Sequence, residues 1–241
     1  MKKLWTFGCS FTDADAFPSV RSYSWPVLLS ENLGIELKDY GQSGEGSQGV
    51  IWRLVEQLPN IQEGDFVSVG LSHPERLNIP DYIRNNLVIR SVSRCTAVPD
   101  GNMFEWGVTH LGEQGLETAV NYINRVVYSN LNSYEKLYMD QAFNILTLLE
   151  ERGVKTILWD FNIWYLFEQF RDWSSSLNDG HWSPNGHFEV FLFFKYCFDY
   201  KIKKADYKEF KKYSKHRERE NHIEFKEEKF KELVEEIKRL G

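Results

Sequence analysis

Short apolar runs alternate along this chain with stretches whose apolar residues recur at helical spacing. Leu4-Trp5-Thr6-Phe7 is a run of bulky and β-branched residues, the pattern of a buried strand. Ser24 then predicts a helix cap, with Pro26 tolerated in the first turn and Gly34 as the stop. Residues 35–40 alternate like a second strand, and Val50 to Leu58 reads as an amphipathic helix. Asp65 to Leu71 forms a third apolar run. Ser133 is placed to cap a long helix over about 134–152, with Leu137, Ala142, Ile145, Leu148 and Leu149 assigned to its buried face. Gly153 ends it, and Val154 to Trp159 is a fourth strand. Ser183-Pro184 opens a further helix running through Phe191, Phe193, Phe194 and Tyr196. This strand–helix rhythm predicts an α/β fold of three layers, α/β/α, around a parallel, flavodoxin-like sheet.

Two regions break the rhythm. Residues 80–132 hold two strand-like runs, 87–92 and 104–108, around the turn sequence Pro99-Asp100-Gly101. They read as a hairpin inserted in a body spanning 1–200. From Lys201 the chain becomes rich in Lys and Glu. Ile223, Phe230 and Ile237 recur every seven residues there, with Leu233 and Leu240 between them, so 201–241 reads as a charged helical extension able to cover a surface or associate.

Composition narrows the classes. Apolar residues make up 42% of the 241, enough for a core. Net charge is −6, but residues 201–241 carry 14 basic and 10 acidic side chains, so the body is markedly acidic. A surface of that sign disfavours a phosphate backbone as partner, so no nucleic acid is expected. Three cysteines (Cys9, Cys95 and Cys197) without CxxC spacing argue against a disulfide framework or a zinc ribbon. The apolar run behind Met1-Lys2-Lys3 is too short for a secretory signal, and no stretch nears the roughly 18–20 apolar residues of a membrane span. A cytoplasmic protein without a membrane partner is the expectation.

The candidate chemistry lies in two distant stretches. Gly8-Cys9-Ser10 follows the first strand, and a Ser two residues past a strand end is expected on the sheet's rim, exposed and in a strained turn. That is a useful place for a nucleophile, although Ser is also common in structural turns. Far downstream, Asp179-Gly180-His181 puts a carboxylate and an imidazole at i and i+2, on one side of an extended segment. Asp179 can then orient His181, and His181 can take a proton from Ser10. Asn178 is the alternative orienting residue; the carboxylate is preferred because it stabilises an imidazolium. Asp179, His181 and His187 are too few for a convincing metal site, so no metal is assigned, and His187 reads as a structural partner. The segment 41–49, with four glycines in nine residues, can aim N–H groups at an anion but matches neither a P-loop nor GxGxxG. Its other reading is a plain connection.

Taken together, Phe7-Gly8-Cys9-Ser10-Phe11-Thr12, Ser43-Gly44-Glu45, Gly70-Leu71-Ser72-His73 and Asp179-Gly180-His181 resemble the ordered blocks of the SGNH/GDSL-type hydrolases, and most the short phage and bacterial variants opening with FGCSFT. The resemblance covers roughly 3–78 and 140–195. It implies an SGNH-type α/β/α fold and ester hydrolysis, with O-acetyl groups on carbohydrates or other small esters as substrates. Ser10 would be the nucleophile, His181 the base and Asp179 its partner, with the oxyanion bound by the Ser10 and Gly44 amides, and no cofactor. The chain departs from the pattern at Ser72, where the family carries Asn. Ser72 is accordingly expected to contribute less than about tenfold to the rate. An O-acyltransferase with the same triad, or a weak or inactive binding module on the same fold, are the alternatives. His73, preceding a proline, reads as a loop residue.

Overall fold

The computed structural model describes residues 1–14, 23–73, 76–81, 88–92, 114, 115, 117–163, 182 and 184–220. Its centre is a four-stranded parallel sheet in the order β2-β1-β3-β6. Here β1 is Lys3–Gly8, β2 Glu36–Gly41, β3 Phe66–Gly70 and β6 Lys155–Trp159. The order reverses direction beside β1, as in flavodoxin-like folds. The intervening strands β4 (Leu77–Asp81) and β5 (Val88–Val92) pair antiparallel in a separate two-stranded sheet. The strand expected over 87–92 is therefore present, but its partner among the described residues is 77–81. The other expected arm, 104–108, and its turn lie outside the described residues.

Alternation along the strands sorts side chains into two cores. Leu4, Phe66, Ile157 and Trp159 face one side, where they pack with Trp25 and Leu29 of α1 (Trp25–Leu33) and Phe194 of α4 (Pro184–Asp199). Trp5, Phe7, Val67, Val69 and Leu158 face the other, against Val50 and Leu54 of α2 (Ser47–Gln57) and Ala142, Leu146 and Leu149 of α3 (Leu131–Glu151). Helices thus cover both faces, and the three layers are as expected. Strands buried on both faces read as near-continuous apolar runs, and β1 and β6 do so apart from Lys3, Thr6, Lys155 and Thr156. Each fully buried residue such as Leu29 contributes on the order of 1.5–3 kcal/mol by leaving water.

Three local differences have simple causes. α2 begins at Ser47, earlier than its apolar pattern suggests, because Gly46 takes an extended conformation and serves as its cap. α3 begins at Leu131 with Asn130 as cap, leaving Ser133 inside the helix. Its buried face is Ala142, Leu146 and Leu149, whereas Leu137 and Leu148 are exposed. Those two lie eleven residues apart on a common stripe, one residue off the buried one, and 100° of rotation per residue separates the stripes.

Beyond α4 the chain returns to the sheet. Leu158 donates its N–H to the Lys203 carbonyl and accepts from Ala205 N–H, so this segment lies along the free edge of β6. Helix α5 (Tyr207–Glu220) follows, with Tyr213 buried against Phe193 at 5.4 Å between ring centres. The heptad-spaced positions 223–240 lie outside the described residues. No helix among the described residues is long and apolar enough to cross a membrane.

Candidate active site at the carboxyl edge of the sheet

Parallel pairing places Gly41, Gly8 and Gly70 side by side at the carboxyl ends of β2, β1 and β3. Gly8 pairs with Gly41, and Gly70 follows the Val69 that pairs with Phe7. At Gly8 and Gly41 the space is taken by the turn folding back over the strand ends, and at Gly70 by a side chain of the neighbouring strand β6. A Cβ on Gly41 would fall 2.4 Å from the Asp13 nitrogen, and one on Gly70 2.2 Å from the Trp159 indole. One on Gly8 would fall 2.1 Å from Thr12 Oγ1. Open α/β sheets bind ligands at such carboxyl edges, where strand order reverses.

Ser10 sits in a tight reversal just past β1. The Cys9 carbonyl accepts from both Thr12 N–H (2.8 Å) and Asp13 N–H (3.0 Å), and Gly8 O accepts from Gln42 N–H (2.9 Å). The expectation of an exposed, strained serine is corrected. Ser10 is only 9% exposed, and Lys201 is the single non-glycine with positive φ among the described residues. Hydrogen bonds to Cys9 close the turn without backbone strain.

Two aspartates that carried no role in the sequence hold this turn. Asp39, at an ordinary polar position of β2, accepts from Thr6 Oγ1 (2.7 Å), Ala14 N–H (2.7 Å) and Gly41 N–H (2.9 Å). Burial pushes its pKa above the usual carboxylate value, outweighing the three donors. Asp13 accepts from Ser43 N–H at 2.9 Å, tying the glycine-rich loop to the Ser10 turn. The available signal for Asp13 was its position three residues past the candidate nucleophile.

Gly44 follows in that loop with φ +80° and open space around its missing side chain, so it is glycine for its backbone conformation. No hydrogen bond among the described residues occupies its N–H. Glu45, buried, pairs with Arg53 of α2 at 2.6 Å. From β3, the Ser72 carbonyl accepts from Ser47 Oγ at 2.8 Å, and Ser72 Oγ accepts from Arg76 Nη1 at 3.0 Å. The same Nη1 reaches the Glu45 carbonyl at 3.3 Å. The loops bearing Ser10, Gly44 and Ser72 are therefore cross-tied. Arg76 is a member of this site that the sequence did not single out, although it closes the segment Ser72-His73-Pro74-Glu75-Arg76. His73 packs its ring on Phe161 at 4.4 Å, in keeping with a loop role.

Asp179 and His181 lie outside the described residues. Their neighbour Trp182 is almost fully buried, and its ring meets that of Phe11, next to Ser10, at 4.9 Å in an edge-on contact. Trp25 binds the same region from α1, its Nε1–H donating to Phe11 O at 2.7 Å and its backbone N–H to His187 Nδ1 at a long 3.4 Å. His187 is buried, with Trp182 edge-on to it at 5.7 Å. A small pocket lies on the β3–β6 side. Ser47, Ser72, Tyr138, Asp160 and Phe161 help line it, while Ser10 and Gly44 do not. Asp160, at the end of β6, accepts from Asn162 N–H at 2.8 Å.

No family model and no curated protein matches the sequence. Among solved structures, a Bacillus subtilis protein aligns over 85% of this chain with 12% identity and a TM-score of 0.35. The chain spans only 43% of that protein's length. A putative lipolytic protein of the G-D-S-L family from Desulfitobacterium hafniense aligns over 79% of this chain and 95% of its own, at 13% identity and TM-score 0.32. An acetyl xylan esterase from Geobacillus stearothermophilus aligns over 79% and 91%, at 14% identity and TM-score 0.33. At these scores the alignments do not bear on activity.

Proposed function

We propose that this chain is a serine ester hydrolase of the SGNH/GDSL type, with Ser10 as nucleophile, His181 as base and then acid, and Asp179 as the residue that orients His181. The observation that carries the reading is the Phe11–Trp182 contact. It joins the immediate successor of Ser10 to the immediate successor of His181, across 171 positions of sequence. Adjacent Cα atoms are about 3.8 Å apart, so this contact favours a short path between hydroxyl and imidazole.

In this mechanism His181 removes the Ser10 proton as Oγ bonds to the ester carbonyl carbon. The carbonyl oxygen becomes an oxyanion, received by the Ser10 and Gly44 amides and the Ser72 hydroxyl. Its collapse breaks the bond to the alcohol, which leaves with the proton from His181. Water then repeats the sequence on the acyl-serine and releases the acid. An acceptor alcohol in place of water would make the same site an acyltransferase. The substrates that suit the reading are small or carbohydrate-borne acyl esters, and no cofactor enters the steps.

The test combines labelling and turnover. A fluorophosphonate probe should add one adduct, located by peptide mass on Ser10. Hydrolysis of 4-nitrophenyl acetate should be lost in Ser10→Ala and in His181→Ala. Labelling at another residue, or Ser10→Ala turning over like the parent, would remove the reading.

A further inference from the structure

We propose that Arg76 is a positioning residue that makes the Ser72 hydroxyl a charge-assisted donor to the oxyanion. This rests on the ester-hydrolase reading above. Ser72 alone is a short, neutral donor, and the structure places a guanidinium behind its hydroxyl.

A hydroxyl has one proton and two acceptor sites. Ser72 Oγ already receives a proton from Arg76 Nη1 at 3.0 Å, so its own O–H is turned away from the guanidinium. No hydrogen bond among the described residues uses that O–H as donor. Ser72 is 3% exposed, and its carbonyl is held by Ser47 Oγ, so the group is fixed and poorly hydrated. Arg76 reaches back because its N–H donates to the His73 carbonyl at 3.1 Å, curling the chain just past β3. Among the described residues no carboxylate pairs with it, which leaves its charge directed at Ser72 and the Glu45 carbonyl.

Placement favours the role. Ser10 and Ser72 each stand two residues beyond glycines that lie side by side in the sheet, and a Cβ on Gly8 would come within 3.3 Å of Gly70 O. Hydrogen bonds polarised by a charged neighbour strengthen in a site of low dielectric. A proton from Ser72 aimed at developing negative charge would gain from the cation behind it, and most in the transition state. The serine–arginine pair would thus supply what a side-chain amide supplies elsewhere. Arg76 also touches Glu45, so a competing role, holding the Gly44 loop, must be separable.

A double-mutant cycle with Ser72→Ala and Arg76→Gln on 4-nitrophenyl acetate separates them. Ser72→Ala should lower kcat about 10²-fold, the range for losing a full oxyanion donor. Arg76→Gln should lower kcat about tenfold with KM nearly unchanged. Added to Ser72→Ala, it should cost almost nothing more, and Arg76→Lys should recover most of the loss. Equal costs of Arg76→Gln in both backgrounds would show that it acts through the Glu45 loop, and would overturn the proposal while Ser10-dependent turnover kept the hydrolase reading intact. If Arg76→Gln does not fold, the cycle is read with Arg76→Lys, where a smaller loss must still vanish beside Ser72→Ala. A parent protein without Ser10-dependent turnover would overturn both.

Discussion

The indole of Trp182 meets the ring of Phe11 edge-on with their centres 4.9 Å apart, joining the position two residues before α4 to the reversal after β1. Trp25 fastens the same reversal through Phe11 O, and Trp182 also packs edge-on against His187. Two segments that the proposed chemistry must bring together are thus joined by aromatic packing.

Trp182→Ala should therefore affect turnover beyond its effect on stability. Truncating a buried tryptophan costs about 3–5 kcal/mol, and Leu29→Ala, in the same core but away from the edge, about 2–5 kcal/mol. Measured well below both melting temperatures, kcat should fall at least tenfold in Trp182→Ala and stay near the parent's in Leu29→Ala. Equal kcat in the two variants would mean that the contact does not position the base.

Gly41→Ala and Gly34→Ala form a second contrast. At Gly41 the added carbon would meet the Asp13 backbone, which has no flexible end to yield. The Ser10 reversal must then shift, and turnover should be lost even in molecules that remain folded. At Gly34, with φ +64° and open space, the cost is local strain of about 1–2 kcal/mol. Denaturation midpoints and turnover of both variants provide the check, with Gly34→Ala retaining its activity.

Asp39 gives a dependence on pH. Its folded pKa lies above the ordinary carboxylate value, chiefly through burial, so ionising it is harder in the folded chain than in the unfolded one. Its contribution is complete below the unfolded pKa of about 3.9 and is lost as pH rises through the folded value. Denaturant unfolding of the parent and Asp39→Asn across pH 4 to 8 should show the parent's relative stability declining as pH rises. A relative stability that grows with pH would contradict the burial argument.

Removal of residues 222–241 should leave ester hydrolysis in place, since α5 up to Glu220 retains the Tyr213 packing on α4. The heptad-spaced Ile223, Phe230 and Ile237 need a surface to cover, so the melting temperature or the mass in solution should drop. If neither changes, the stripe covers nothing.

The layers of this fold were legible in the sequence because strands buried on both faces read as near-continuous apolar runs, and helices must show a stripe. Leu4 to Phe7, Val154 to Trp159 and the stop at Gly153 satisfy those local rules wherever the chain goes. Ser10 and Gly44 were likewise visible as a turn serine and a loop glycine. Their support was not, because it depends on register. Asp39 looks like any polar position of an edge strand until β1 and β2 pair, after which it holds Thr6 and Ala14. Arg76 looks like a loop cation until its chain curls back onto Ser72. The buried stripe of α3 also differed from its apolar count, since exposed leucines at 137 and 148 are as apolar as buried ones. Local periodicity chose the elements, whereas the folded backbone decided which polar side chains found partners. Thr6 and Ala14 lie tens of residues from Asp39 and meet it only once the sheet has formed, and Ser72, four residues from Arg76, meets it only through the turn the chain takes past β3.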